Sequence, residues 1–193
     1  MNEWEKTTLG EIAFLKNGKS SPKRIENGKY QVWGSNGVIG YSEHKNSHGN
    51  TIIIGRVGSY CGSIYLSKEE CWVTDNAIIG NNIKGISDSV FLYYFLNNYN
   101  LHRLRGGSGQ PLINQSILSQ IELKIPPLEE QRAIASVLSC LDGKIENLRK
   151  QNETLESIAQ TLFKHWFIDF EFPNEDGKPY KSNPLEGRCD RPN

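Results

Sequence analysis

The chain has 193 residues, of which 37% are hydrophobic and 23% charged, and its 22 basic and 22 acidic side chains cancel. This balance excludes a disordered chain and fits one globular domain with an appendage. No run approaches the ~20 apolar residues of a membrane helix, and Met1-Asn2-Glu3-Trp4-Glu5-Lys6 lacks an apolar signal core, so a cytoplasmic location without membrane contact is expected.

Charge is unevenly spread. Residues 1–127 carry 13 Lys+Arg against 10 Asp+Glu, and residues 128–193 carry 9 against 12. A weakly basic first part and an acidic second part are compatible with a nucleic-acid partner, but three charges decide nothing by themselves. Cys61, Cys71, Cys140 and Cys189 show neither CxxC spacing nor paired histidines, which fits reduced thiols rather than a metal site.

Taken in chain order, Lys19, Lys23 and Arg24 flank Pro22 in a polar stretch that suits backbone contacts or a merely solvated loop. Short β-branched runs follow at Thr51–Ile54, Ser63–Leu66, Cys71–Thr74 and Ala77–Ile79, which read as strands. Between them lie the turns Ser35-Asn36-Gly37, Gly55-Arg56-Val57-Gly58-Ser59 and Gly80-Asn81-Asn82. Asn36-Gly37 is a tight-turn signal because both residues tolerate positive φ. Ser87 or Asp88 can cap a helix over Val90–Leu96 that is apolar nearly all round, hence expected to be buried. Asn114 can cap a short helix before a strand at Ile121–Ile125.

Pro126-Pro127 ends that strand and opens a long helix, since proline is tolerated at the first helical position. From Leu128 to about Phe167 there is no proline, and apolar residues recur at Ile134, Leu138, Leu141, Ile145, Leu148, Leu155, Ala159 and Leu162. The alternating steps of three and four form a heptad seam, interrupted by Asn152, that a second helix must cover. A polar seam residue costs stability and restricts register or partner choice. After Phe172, four prolines among Asn, Gly and charged residues suggest an extended or disordered tail. The expected class is α+β: a mixed, β-rich head over 1–127, a coiled-coil helix over 128–170 and a tail over 171–193.

Several residues invite a binding role. Arg56, bracketed by glycines, suits a phosphate or base-edge contact, although a turn with an exposed arginine is the simpler reading of these residues alone. Arg103 and Arg105, with Gly106-Gly107-Ser108-Gly109-Gln110, make a second basic, polar loop that is equally well a solvated connection. Asp75-Asn76 can hydrogen-bond a base or end a strand. Trp33 and Tyr60 read as packing residues, and His44 and His48 as solvent-exposed. No P-loop, GxGxxG fingerprint, metal-ligand cluster or nucleophile–base pair is found, so no catalytic function or cofactor of the chain's own is expected.

A family resemblance joins these pieces. Trp4 with Thr8-Leu9-Gly10-Glu11-Ile12-Ala13 resembles the opening of a target recognition domain in specificity (S) subunits of type I restriction–modification systems. The segment Tyr30 to Tyr41, with Trp33-Gly34-Ser35-Asn36-Gly37 at its centre, looks like that domain's central motif. Thr51 to Ser59 and Trp72-Val73-Thr74-Asp75-Asn76 resemble the strand and turn that follow it. Gly107-Ser108-Gly109-Gln110-Pro111 with Asn114, and Ile125 to Ala135, are similar to its close and to the start of the conserved helix. Together these cover about residues 4–180.

The resemblance implies a non-catalytic, DNA-reading subunit. Basic groups at Lys23, Arg24, Arg103 and Arg105 would hold phosphates, while Ser35, Asn36, Arg56, Ser59, Asn76, Ser108 and Gln110 in the loops would read base edges. S-adenosylmethionine and ATP are expected on the partner modification and restriction subunits. Most family members carry two recognition domains and two such helices, whereas one of each is found here, and Trp166 to Phe172 resembles the stretch leading into a second half. A half-length form is therefore expected to pair with itself through Ile134, Leu138, Leu141, Ile145, Leu148, Asn152, Leu155 and Leu162. It would then read a bipartite, palindromic double-stranded site. The heptads alone would also suit a coiled-coil adaptor without sequence-specific DNA binding.

Overall fold

The computed structural model describes residues 4–104, 106, 111–169, 171 and 177. It divides into two units, Met1–Ser139 and Cys140–Asn193. The first is the α+β head together with the opening turns of the long helix.

The head begins with β1 (Glu5–Thr8), the single turn α1 (Leu9–Ile12) and β2 (Ala13–Asn17). None of the three was evident from hydrophobic pattern. The helical turn arises because Thr8 donates its N–H to the Glu11 carboxylate at 2.8 Å, half of a capping box. Next come β3 (Tyr30–Gly34), β4 (Gly37–Ser42), β5 (Thr51–Gly55), β6 (Ile64–Ser67), β7 (Cys71–Val73) and β8 (Ala77–Asn82). Helices α2 (Ser89–Tyr99) and α3 (Gln115–Ser119), strand β9 (Glu122–Ile125) and helix α4 (Leu128–Phe163) complete the order.

The strands form three sheets: β2-β8-β5-β6, β4-β3-β7, and the pair β1-β9. Strand β5 is buried along its whole length and explains how the layers stack. Its side chains alternate. Ile52 and Ile54 enter a core with Leu9, Leu92, Leu96 and Leu118 from the helices, while Ile53 enters a second core with Cys71, Val73, Ala77 and Ile79. The four-stranded sheet is thus covered on both faces, which is why its central strand reads as an unbroken apolar run. Burying each such side chain contributes about 1.5–3 kcal/mol. Trp33 closes the second core against Tyr65, with ring centroids 5.6 Å apart.

Several expectations are corrected. Between Ser87 and Asp88, it is Asp88 that caps α2, accepting from the Val90 and Phe91 N–H groups, while the Ser87 hydroxyl donates to the Ile12 carbonyl. Helix α2 buries only Ser89, Phe91, Leu92 and Leu96; its remaining aromatic residues stay partly or fully exposed because one face alone meets the sheet. Asn114 caps α3 as expected, accepting from Ile117 N–H. Regular α-helix stops at Phe163, and Lys164–Ile168 winds into a wider π turn, with Asp169 N–H bonded to the Lys164 carbonyl at 2.9 Å. Cys61 and Cys71 are buried and Cys140 is exposed. Among the described residues no helix is long and apolar enough to cross a membrane. The tail expected over 171–193 lies outside the described residues except at Glu171 and Gly177.

Candidate nucleic-acid interface

Four chain segments meet beside the end of β5, and backbone hydrogen bonds hold them together. The Arg56 N–H donates to the Asn76 carbonyl at 2.9 Å, joining the loop after β5 to the turn after β7. The Arg56 carbonyl accepts from Ile113 N–H at 3.0 Å, and Gly58 N–H donates to Pro111 O at 3.2 Å, bringing in the stretch before α3. The hairpin joining β3 and β4 arrives by close approach: a Cβ on Gly55 would stand 3.0 Å from the Ser35 carbonyl and 2.3 Å from that of Tyr60. Only glycine lets the strand end pass this near to two loops.

Each loop has a local cause. Ser35-Asn36 links the paired Gly34 and Gly37, and only Gly37 has positive φ, at 93°. Asn36 therefore does not use the left-handed conformation expected of it; one glycine suffices for the reversal. Gly58 opens a turn of 3-10 helix, Gly58–Tyr60, at φ 72°. The outer edge of β7 is occupied by the Asn46 side chain, which donates to Val73 O and accepts from Val73 N–H, both at 2.8 Å. That amide acts as a strand substitute and fixes the following Asp75-Asn76 turn.

The structure thus brings Ser35, Asn36, Arg56, Ser59 and Asn76 into one cluster. Asn36, Ser59 and Asn76 are exposed, and Ser35 and Arg56 are half-buried. Arg56 is anchored at one point, Nη1 donating to the Asp75 carbonyl over 3.4 Å, while its Nε has no partner among the described residues. Because that Nε is buried, contact with a carboxylate, phosphate or guanine edge falls to the Nη nitrogens. Arg103 is exposed on the turn Leu101–Leu104, which docks on the same loop through His102 Nδ1 and the Cys61 carbonyl, 2.8 Å apart. Arg105, Ser108 and Gln110 lie outside the described residues; Gly106 and Leu112, on either side of Ser108 and Gln110 in the chain, exchange backbone bonds of 3.1 and 3.0 Å.

Lys23 and Arg24 are exposed on a separate segment that runs along β4. Arg24 donates to the Ile39 carbonyl at 3.0 Å and lies across Gly40, where a Cβ would come within 2.9 Å of its Cδ. They flank the cluster rather than join it. Tyr60, read as a packing residue, is 48% exposed at the loop tip because the 3-10 turn rotates it outward. His44 and His48 are exposed. Sequence reasoning missed the backbone of Pro111–Ile113, for which no local signal exists, since its pairing with Val57 is long-range.

On the helix, Ile134 packs against the head's own core and Leu138 is half-buried, so the free stripe begins further along than expected. Leu141, Ile145, Leu148, Leu155 and Leu162 are between 43% and 62% exposed, with Asn152 exposed among them. Sequence reasoning also missed Gln131, which is wholly buried in the helix's first turn. Extending the seam back three residues from Ile134 lands on it, the one available hint. Among the described residues no group of side chains suits a metal ion.

A β-rich head with a polar, arginine-bearing loop cluster is thus followed by a long helix with an apolar stripe. The sequence matches the family model for the type I restriction modification DNA specificity domain over residues 1–157, and the chain belongs to that family. It is similar to the specificity subunit of the type I restriction enzyme MjaIX of Methanocaldococcus jannaschii, with 47% identity over 93 residues, or 46% of this chain and 22% of that protein. It also resembles the EcoprrI specificity subunit of Escherichia coli, with 28% identity over 164 residues, covering 82% of this chain and 41% of that one. The crystal structure of a type I restriction–modification S subunit from M. genitalium superposes with a TM-score of 0.72 at 26% identity, covering 87% of this chain and 46% of that one. The chain spans less than half the length of each of these proteins.

Proposed function

We propose that this chain is the DNA-reading subunit of a type I restriction–modification system and has no catalytic activity of its own. The cluster of Ser35, Asn36, Arg56, Ser59 and Asn76 reads base edges, together with Ser108 and Gln110. Lys23, Arg24, Arg103 and Arg105 hold phosphates, which position the head without specifying sequence. The carrying observation is the convergence of four loops beside the end of β5, with Arg56 braced at its centre.

The exposed stripe from Leu141 to Leu162 pairs antiparallel with that of a second copy, with half-buried Leu138 at its edge. Two heads are then related by a twofold axis, and the site they read is palindromic and bipartite, with an unread gap. The 36-residue α4 is about 54 Å long at 1.5 Å per residue, enough to separate two heads by at least the roughly 34–36 Å of one DNA turn. The paired helices dock the modification subunits, which carry S-adenosylmethionine, and through them a restriction subunit that uses ATP. The setting is cytoplasmic.

Methylome sequencing of cells carrying this chain and its modification subunit tests the reading. Inverted half-sites around a constant gap are expected, and asymmetric modified sites would overturn the pairing. Binding of the purified chain to random-sequence duplex across a salt series is expected to weaken steeply, as phosphate contacts require; a flat response would favour a protein-binding adaptor.

A further inference from the structure

Gln131 is wholly buried, and its amide serves three backbone groups from two segments of the head, the β9–α4 junction and the loop between β8 and α2. Its Nε2 donates to the Pro126 carbonyl at 2.9 Å and to the Ile86 carbonyl at 3.1 Å, and its Oε1 accepts from the Asp88 N–H at 3.0 Å. Pro126 follows β9, Ile86 lies in the turn after β8, and Asp88 caps α2. One turn further along α4, Ala135 is 5% exposed and lies in the main core beside Ile134.

Apolar contacts at Ile134 and Ala135 resist separation but are tolerant of rotation and tilt. Hydrogen bonds in three directions from a single planar amide are not. We infer that Gln131 is a positioning residue that sets the direction in which the opening turns of α4 leave the head. From Gln131 to Ser139, the last residue of this unit, the helix runs about 12 Å, so a tilt of about 10° moves it by about 2 Å. The consequence for DNA rests on the paired reading proposed above: losing the lock changes which gap lengths are accepted while leaving the half-site alone.

The test uses the full chain with two spin labels, introduced as keto amino acids at the exposed positions Lys68 and Ser139, diluted with unlabelled chain so that only intrachain distances are read. The parent is expected to give a narrow distribution. Gln131→Met, which fills the volume without the amide, should broaden it by about 2 Å, on the same lever arithmetic. An unchanged width in a Gln131→Met chain that still melts cooperatively would overturn the inference. If Gln131→Met does not fold, hydrogen exchange in the unmodified chain decides: an Asp88 amide as slow as the β5 core amides supports the lock, and a fast one overturns it. A broadened distribution with no gap preference in the parent's own DNA binding would sink the pairing proposal and leave the positioning role intact.

Discussion

Ile113 donates its N–H to the Arg56 carbonyl at 3.0 Å, tying the loop after β5 to a segment 57 residues further along the chain. Arg56 is therefore held at both backbone polar groups, the N–H by Asn76 and the carbonyl by Ile113. Its side chain leaves a rigid platform, which limits the entropy lost when it meets a ligand.

Arg56→Ala should reduce affinity for the cognate duplex by about 1–3 kcal/mol and relax selectivity at one base position if the fork reads guanine. If it touches only phosphate, affinity falls evenly across sequences and the salt slope shrinks by about one. Duplex titrations at several salt concentrations distinguish these outcomes. An unchanged affinity would remove Arg56 from the interface.

Two glycine substitutions should act with opposite sign. Gly55→Ala places a Cβ 2.3 Å from a backbone carbonyl, so strands and loops must shift, at a cost of about 1–3 kcal/mol. A Cβ on Gly143 meets nothing within 4 Å, and Gly143→Ala in the helix interior should stabilise by about 0.8–1 kcal/mol. Denaturant unfolding of each variant reads both.

Deleting Ile145 to Gln151 removes one heptad and keeps the seam in phase. The gap in the recognised site should change while the half-site sequence is retained. A new half-site with the old gap would refute the spacer role of the helix.

Glu11 supplies a pH dependence. The Thr8 backbone N–H, followed by the Thr7 and Thr8 hydroxyls, holds its carboxyl below the usual range. A depressed carboxylate stabilises the fold above its unfolded pKa of about 4.3, and that contribution fades as pH falls through the lower folded value. Glu11→Gln should flatten that part of the acid stability curve, as followed by circular dichroism.

Thiol reactivity checks burial and seam together. Cys61 and Cys71 are buried, and desolvation raises the Cys71 thiol further, so both should resist alkylation until unfolding. Exposed Cys140 lies two residues from Leu138 and one from Leu141, off the seam, and should react in the paired form. With Cys189 replaced by serine, mass spectrometry after brief alkylation should find a single adduct. Protection of Cys140 on self-association would move the interface.

Local physics made much of the molecule legible in its sequence. Heptad spacing marked the long helix, β-branched runs marked β5 to β8, and the side chains of Asp88 and Asn114 announced α2 and α3, because each signal depends on neighbours within a few residues. The α+β class and the family followed from motifs in order. Tertiary structure alone decided which loops share a surface. Arg56, Asn76 and Ile113 meet through backbone bonds between distant segments, and backbone groups carry no residue-specific mark in a sequence. It decided likewise that Tyr60 faces solvent, that Ile134 serves the head's own core, and that Gln131, polar at the base of an apolar seam, ties the first turn of α4 to the loop between β8 and α2.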